Sequence, residues 1–288
     1  MAHSPWLRYA LFTTVTWGIW GAFTGLPSEH GFPDTLTYVV WAFVMLLPAA
    51  VVWRKNTGGL ARDGRSIRLG LAIGLLGAGG QLLLFHAVTL GPTYLIFPIV
   101  SLSPIVTIAL SVALLRERTG KLGIAGIVLA VLSLPLFDYS PEPGSHSYGL
   151  WFYLSMGVMA AWGLQAYFMK LANATMSAES IFAYMTISGI VLVPFAFLLT
   201  DFSQPLNLGL SGPALAAVIQ LLNAVGALLL VYAFRHGKAI VVSPLVNAGA
   251  PLLTSVISLG LVGVLPGPYK VAGIVLALGG ALCLSLQP

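Results

Sequence analysis

Charged residues are scarce in this chain. Of its 288 residues only 13 are Lys or Arg and 8 are Asp or Glu, together 7% of the composition, whereas 58% are hydrophobic. The surface of a soluble domain needs about 25% charged residues to face water. The scarcity of charge therefore excludes an ordinary soluble globule and predicts a surface that mostly contacts lipid.

The sequence also lacks the signatures of redox, metal and nucleotide chemistry. The single cysteine, Cys283, lies in an apolar run and has no second cysteine to pair with. There is no P-loop, no HExxH and no cluster of Cys and His residues. Neither a metal nor a cofactor is therefore expected, and without a visible catalytic constellation the chain is not predicted to be an enzyme.

The chain does contain long apolar runs. Residues 69–115 hold no Asp, Glu, Lys or Arg, which is enough for two crossings because one helix needs about 20 residues. Membrane-barrel strands would instead alternate over segments of about 10 residues. The first run is too long for a secretory signal and is interpreted as a retained span. We predict an all-α polytopic membrane protein with ten transmembrane helices, at residues 7–26, 35–53, 67–90, 93–115, 121–137, 148–169, 180–200, 212–234, 239–265 and 268–286.

The basic residues predict the orientation of these spans. Cytoplasmic loops of membrane proteins are enriched in Lys and Arg. With the N-terminus inside, twelve of the thirteen basic residues fall on the inner side and only Lys270 falls outside. The chain is therefore expected to be a multi-pass protein of the cell inner membrane with both termini in the cytoplasm. Since topology explains the positive charge, no nucleic-acid partner is expected.

An internal repeat divides the chain into halves. The hexapeptide AGIVLA occurs at residues 125–130 and again at 272–277. Further matches keep an offset of 145 to 147 residues: Trp17 and Gly18 with Trp162 and Gly163, Pro98 with Pro244, Pro104 with Pro251, and FHAVTLG (85–91) with VYAFRHG (231–237). We interpret residues 1–138 and 148–288 as two five-helix repeats joined by a periplasmic linker, 139–147. Because five is odd, the repeats are inverted, an arrangement that recurs in secondary transporters.

The stretch GPTYLIFPIVSLSPIVTIALSVALLRERTGKLGIAGIVLA (91–130) and its echo in the second half resemble the drug/metabolite transporter superfamily, specifically its EamA-like branch. The second copy departs from the pattern, because LGLVGVLPG (259–267) has no charge where the first has RER. A role tied to that charged helix end therefore carries over only to Glu117. The resemblance implies a substrate cavity lined chiefly by spans one, three, four, six, eight and nine, with spans five and ten at the periphery.

Polar and aromatic side chains inside the spans are the candidate substrate-binding residues, because polar groups are costly in lipid and their presence there points to function. The alternative role for each is interhelical hydrogen bonding or core packing. The candidates are Trp17, Trp20, Gln81, Tyr94, Phe97, Ser101, Trp162, Gln165, Gln220, Asn223, Ser243 and Asn247.

Four prolines are candidate kink or gating residues: Pro98, Pro104, Pro244 and Pro251. A proline lacks an N–H and releases the carbonyl four residues earlier, so Pro251 is expected to free the carbonyl of Asn247. We predict that spans four and nine bend near Pro104 and Pro251 and face each other across the cavity. A kink retained only for packing is the alternative.

Candidates for ion coupling are few. Histidine is the side-chain type that can change charge near neutral pH, so His86 is a possible proton-coupling residue, although an ordinary hydrogen-bonded histidine is the alternative. No Asp or Glu lies inside a predicted span, so the embedded carboxylate of the small multidrug-resistance relatives is missing. Lys170, at the inner end of the sixth span, either meets an anionic group or snorkels to the interface.

These features predict an inner-membrane secondary transporter that moves a small polar or amphipathic metabolite by alternating access. The resemblance implies an amino-acid-like substrate and export. Import of a sugar or nucleoside is the alternative within this class, and a lipid-carrier flippase is the alternative from another class. The expected partners are a small-molecule substrate and the lipid bilayer, with the protein a monomer or homodimer.

The topology makes a direct prediction. Reporter fusions at Gln287 and within the 138–147 loop should report opposite sides of the membrane, with Gln287 in the cytoplasm, because twelve of thirteen basic residues then face inward. Paired alkaline phosphatase and fluorescent-protein fusions measure this. A shared location for the two sites would contradict the ten-span prediction.

Overall fold

The protein is all-helical over the residues that the structure describes. The computed structural model describes residues 5–54, 58–115, 120–138, 149–236, 239–263 and 267–285, and no strand occurs among them. The helices of the first half are α1 (Pro5–Phe23), α2 (Leu26–Glu29), α3 (Asp34–Val44), α4 (Leu46–Trp53), α5 (Gly64–Leu90), α6 (Thr93–Val100), α7 (Ser103–Leu115) and α8 (Lys121–Asp138). Those of the second half are α9 (Leu150–Ala172), α10 (Ala178–Val191), α11 (Val193–Leu198), α12 (Leu215–His236), α13 (Ala239–Val262) and α14 (Pro268–Ser285). A π-helical segment, Leu210–Ala214, precedes α12.

The helices and their outer surface are those of a membrane protein. Every predicted span overlaps one of these helices or two consecutive ones. Four stretches are long and apolar enough to cross a bilayer: Asp34–Trp53, Gly64–Leu90, Ala178–Leu198 and Leu210–His236. Large apolar side chains face outward, with Leu198 82% and Val218 67% exposed, as expected of a surface covered by lipid. The chain is a multi-pass membrane protein, and the count of ten crossings stays a prediction.

The two halves pack against each other through equivalent pairs of helices. Helix α1 packs against α12 and α13 of the second half, and α9 packs in the same way against α5 and α7 of the first. Helices α8 and α14, which carry the two AGIVLA segments, pack against each other. The first span of each half therefore contacts the third and fourth spans of the other, as a pseudo-two-fold relation requires.

The tryptophans of the repeated Trp-Gly pair make equivalent contacts across this boundary. The Trp17 indole N–H donates to the backbone carbonyl of Asn223 at 3.1 Å, and the Trp162 indole N–H donates to the carbonyl of Gly77 at 3.3 Å. Asn223 and Gly77 are themselves equivalent positions, 146 residues apart. Each indole thus ties the first span of one half to the third span of the other.

The glycines of the same pair accept hydrogen bonds from the fourth spans. The Thr254 hydroxyl donates to the carbonyl of Gly18 at 3.0 Å, and the Thr107 hydroxyl donates to the carbonyl of Gly163 at 2.8 Å. The two threonines are 147 residues apart. The recurrence of Trp-Gly is therefore explained by a structural contact that the chain uses twice.

Small residues make these close approaches possible. Gly226 and Gly80, 146 residues apart, lie beneath the indoles of Trp17 and Trp162, and a Cβ on either glycine would clash with the ring. Glycine and other small residues let membrane helices approach closely, where packing and hydrogen bonds replace the hydrophobic effect as the force between helices.

The second and seventh spans break at equivalent places. Helix α3 ends at Val44 and α4 begins at Leu46, while α10 ends at Val191 and α11 begins at Val193. Pro48 and Pro194, 146 residues apart, follow these breaks. Because proline removes an N–H from the helix ladder and clashes with the preceding turn, both copies bend where the proline is retained.

The fourth and ninth spans differ in helix continuity at the two positions where bends are predicted. Helix α6 ends at Val100 and α7 begins at Ser103, directly before Pro104. Helix α13, in contrast, continues without interruption from Ala239 to Val262 through the position of Pro251. The break expected near Pro104 is present, whereas Pro251 does not interrupt its helix.

A serine accounts for the difference between these spans. The Ser101 hydroxyl donates to the carbonyl of Pro98 at 2.5 Å, and the N–H of Leu102 donates to the carbonyl of Ile99 at 3.0 Å. Such local bonds tighten a turn and bend the helix. The residue aligned with Ser101 in the second half is Asn247, whose Oδ1 accepts the Ser103 hydroxyl of the fourth span.

The packing around the Trp-Gly pair predicts the effect of a single methyl group. In Gly163→Ala the new Cβ would lie 2.6 Å from both the Ser103 carbonyl oxygen and the Val106 Cβ. Since backbone cannot move aside cheaply, we expect a loss of about 1–3 kcal/mol of stability, the usual cost of overpacking, seen as a lower Tm in detergent.

The matched control lies on the same helix. A Cβ at Gly157 would meet only the Leu83 Cδ1, at an ordinary 3.4 Å. Gly157→Ala should keep or raise the Tm, because alanine is the better helix former. Equal melting of the two variants would show that the contact at Gly163 does not stabilise the fold.

Candidate functional site

A cavity of about 80 Å³ lies between the two halves. At about 10–15 Å³ for each water molecule, it can hold several waters or one end of a small solute. Residues of both repeats line it, and seven of them are predicted substrate-binding residues: Trp17, Trp20, Gln81, Trp162, Gln165, Asn223 and Asn247.

Four other predicted site residues lie outside the lining. Tyr94 packs against the apolar cluster between α6, α9 and α14, and Phe97 meets Trp20 edge to face with ring centroids 5.7 Å apart. Ser101 is fully buried and bonded to the Pro98 carbonyl. Gln220, the fourth, is described below. Of these four, Phe97 and Gln220 contact a lining residue, Trp20.

Some predicted features fall outside what the structure describes. They are the linker 139–147, Glu117, and the side chains of Lys170, Ser243, Pro244 and Pro251. Pro98 and Pro104 are described, and both are buried outside the cavity lining.

Asn223 holds together the polar side of the cavity. Its backbone carbonyl accepts the Trp17 indole N–H, and its side-chain Oδ1 accepts the indole N–H of Trp41 at 2.8 Å. Its Nδ2 donates to the Oε1 of Gln81 at 3.4 Å. One residue of α12 thus bonds to side chains of the first, second and third spans.

Gln220 lies on the same face of α12, one turn earlier, but makes a separate network. It is fully buried, its Oε1 accepts the Trp20 indole N–H at 2.9 Å, and its Nε2 donates to the Thr24 hydroxyl at 3.3 Å. Each polar atom of its amide is engaged by the protein. This arrangement fits interhelical packing, which was the alternative to substrate binding for this residue.

A second polar contact joins the fourth and ninth spans. The Ser103 hydroxyl donates to the Oδ1 of Asn247 at 3.4 Å, and both residues line the cavity. The fourth span therefore reaches the cavity at the break ahead of Pro104, where its backbone is irregular. Non-helical backbone at membrane depth is tolerated where it is buried or borders a cavity.

Sequence reasoning missed the contribution of the second and seventh spans. Trp41 and Met45 of the second span and Met185 of the seventh line the cavity, as does Met169 of the sixth. The resemblance pointed to other spans, but Trp41 lies mid-span just as Trp17 and Trp162 do. Trp41 could therefore have been predicted as a site residue on the same grounds as those two tryptophans.

Charged groups form pairs at helix ends. The His86 Nδ1 lies 3.0 Å from an Asp34 carboxylate oxygen and its side chain is 51% exposed, so this possible proton-coupling residue lies outside the cavity lining. In the second half the aligned pair is Tyr232 and Glu179, in which the Tyr232 hydroxyl donates at 3.2 Å, and Arg235 also donates to Glu179 at 2.8 Å. Asp34 and Glu179 are 145 residues apart. Both pairs join the start of the second span of a repeat to the end of its third.

The cavity can recognise a ligand by hydrogen bonds and aromatic faces. Among the described residues that line it there is no Asp, Glu, Lys, Arg or His. Carboxamides offer both donors and acceptors, and tryptophan faces suit flat or apolar groups. An isolated ionic charge would be costly to bury here, so the arrangement favours a solute without net charge.

The two amides of α12 predict different mutant effects. Gln220→Leu should lower the Tm, because it leaves the Trp20 donor and the Thr24 acceptor buried without these partners, at about 1–3 kcal/mol for each unsatisfied group. Ligand affinity in the folded fraction should stay at the wild-type value. Thermal melts measure the Tm, and equilibrium binding measures the affinity. A loss of affinity with an unchanged Tm would show that Gln220 binds the substrate.

A family model and a solved structure each match nearly the whole chain. An uncharacterized protein of Methanocaldococcus jannaschii is 24% identical over 130 residues, which are 45% of this chain and 93% of that protein. A crystal structure with 16% identity has the same fold, with a TM-score of 0.67 and coverage of 99% of this chain and 98% of that one. The family model described as the EamA-like transporter family matches twice, at residues 4–137 and 149–286. The resemblance noted in the sequence is confirmed, and the chain belongs to the EamA-like transporter family.

Proposed function

We propose that the protein is an inner-membrane secondary transporter that carries a small polar or amphipathic, amino-acid-like metabolite by alternating access. Membership of the EamA-like family supports transport as the general activity. The observation that carries the proposal is the cavity between the repeats, because carboxamides and tryptophans from both halves meet there and none of the described lining residues is charged.

Alternating access follows from the duplication under this proposal. Two inverted five-span copies give one fold two related conformations, open to opposite sides, around a site at their interface. The equivalent contacts of α1 with α12 and of α9 with α5 support such an exchange. Ten crossings with both termini in the cytoplasm complete the proposed topology.

The chemistry of the lining supports an amphipathic solute. The indole N–H groups of Trp17 and Trp162 donate to backbone carbonyls, so only their ring faces remain to contact a ligand. Gln165 and Asn247 add amide groups from the second repeat. A small solute with one polar end and one apolar end matches this division, and export is the direction that we propose.

Counterflow into proteoliposomes tests the proposal. Vesicles loaded with unlabelled L-leucine, uridine or D-glucose are diluted into the same labelled solute, with and without an imposed pH gradient. We expect transient accumulation of L-leucine and none in protein-free vesicles. Accumulation of uridine or glucose alone would replace the proposed substrate class, and no exchange of any of the three would contradict the transport proposal.

Asn247 provides the matching variant. Asn247→Ala should weaken L-leucine affinity ~2–13-fold, the loss of a hydrogen bond worth about 0.5–1.5 kcal/mol, while the Tm of the empty protein falls only slightly, because the bond that Ser103 loses is long, at 3.4 Å. Ser255→Ala is the control, because Ser255 lies two turns further along α13, buried and outside the cavity. A sharply lower Tm with wild-type affinity in Asn247→Ala would assign Asn247 to packing.

A further inference from the structure

Three side chains form a chain of hydrogen bonds with a fixed direction. The indole nitrogen of Trp41 can only donate, so the atom of Asn223 that lies 2.8 Å from it must be the acceptor Oδ1. The Nδ2 of Asn223 then faces Gln81 and donates to its Oε1 at 3.4 Å. The remaining atom of the Gln81 amide is therefore the donor Nε2.

The end of this chain lacks a partner. Gln81 is only 3% exposed, and its Nε2 is a buried amide nitrogen without a hydrogen-bond acceptor among the residues that the structure describes. Gln81 lines the cavity. A buried donor without a partner is costly and therefore needs an explanation, and a solute bound in the cavity that Gln81 lines can supply the acceptor.

We propose that Gln81 Nε2 donates a hydrogen bond to a carboxylate or carbonyl oxygen of the transported solute, and that Trp41 is the positioning residue that fixes this donor. The inference rests on the proposed function and adds the chemical class of its substrate. Trp41 acts through Asn223. Without the indole N–H, the side-chain amide of Asn223 can rotate and exchange the positions of its Oδ1 and Nδ2. Gln81 is then no longer held with its Nε2 donor available to the solute.

The lining restricts the rest of the solute. It contains no described charged side chain, and an uncompensated charge is expensive to bury. A zwitterion avoids that cost, since its charges offset each other and the amide oxygens of Gln165 and Asn247 can accept from an ammonium group. An amine that lacks the carboxylate has no acceptor for Gln81 and carries a net charge. The site therefore discriminates between an amino acid and the corresponding amine.

L-Leucine and 3-methylbutylamine test this discrimination, because they share the side chain and the ammonium group and differ in the carboxylate. Binding is measured on the purified protein in detergent, by calorimetry and thermal shift. We expect wild-type protein to bind L-leucine and to bind the amine at least tenfold more weakly. Gln81→Met, which keeps the length and removes the donor, should weaken L-leucine about 10- to 150-fold, as for a bond to a charged group.

Trp41→Phe tests the positioning role. It keeps an aromatic ring and removes the N–H, and we expect L-leucine affinity to fall ~2–13-fold and its preference over the amine to shrink. A residue that only packs would not change that preference. Trp53→Phe is the matched control, because Trp53 ends the same span and its side chain is 45% exposed; it should bind like wild type.

The outcomes separate this inference from the transport proposal. If Gln81→Met weakens L-leucine binding but the wild-type protein exchanges no L-leucine in vesicles, the transport proposal is contradicted and the assignment of Gln81 as a donor is retained. If neither Gln81→Met nor Trp41→Phe alters L-leucine exchange, or if the wild-type protein prefers the amine, the assignment of Gln81 as a donor is contradicted. The transport proposal is retained in both cases. Wild-type protein that binds none of L-leucine, uridine and glucose, all of which carry acceptor oxygens, would also contradict the assignment of Gln81 as a donor. Gln81→Glu, with nearly the same shape, replaces Gln81→Met if that variant does not fold; retained L-leucine preference would then count against the proposal.

Discussion

The contact that organises this protein is the indole N–H of one repeat bonded to a helix carbonyl of the other. Trp17 and Trp162 each make it, and in each case the following glycine accepts a threonine hydroxyl from the neighbouring span. In lipid, helices gain little from burying apolar surface against each other, so close packing and hydrogen bonds decide which ones associate. These reciprocal bonds join the first span of each half to two spans of the other.

The cavity depends on that scaffold, but its chemistry comes from positions where the copies have diverged. Gln81 is aligned with Ala227, and Asn223 is aligned with Gly77. The scaffold residues occur twice, whereas each carboxamide occurs once. The bonds that hold the halves together are therefore symmetric, and the bonds that orient the site run one way, from Trp41 through Asn223 to Gln81.

Much of this was predictable from the sequence, because two kinds of residue stand out in an apolar chain. Residues that recur in both halves, such as Trp17 and Trp162, indicate the contacts between the halves. Polar residues inside the spans indicate sites where lipid cannot supply a hydrogen-bond partner. Helical spacing cannot show which of two polar residues on the same helix face lines the cavity. Gln220 and Asn223 are three residues apart, yet only Asn223 lines the cavity, because the approach of Trp20 and Trp41 from other spans separates them. No periodicity within α12 encodes that approach.

Fusion of the two copies into one chain is what permits a directed network. The relative in Methanocaldococcus jannaschii is covered over 93% of its length by a match to 45% of this chain, so it is about one repeat long. Two identical copies would carry the same residue at positions 77 and 223. With glycine at both there is no amide to relay a hydrogen bond, and with asparagine at both a side chain at position 77 would clash with the amide of Gln165. Halves that vary independently can keep glycine at position 77 and place an amide at position 223. The asymmetry of the site is therefore a consequence of the duplication that gave the scaffold its symmetry.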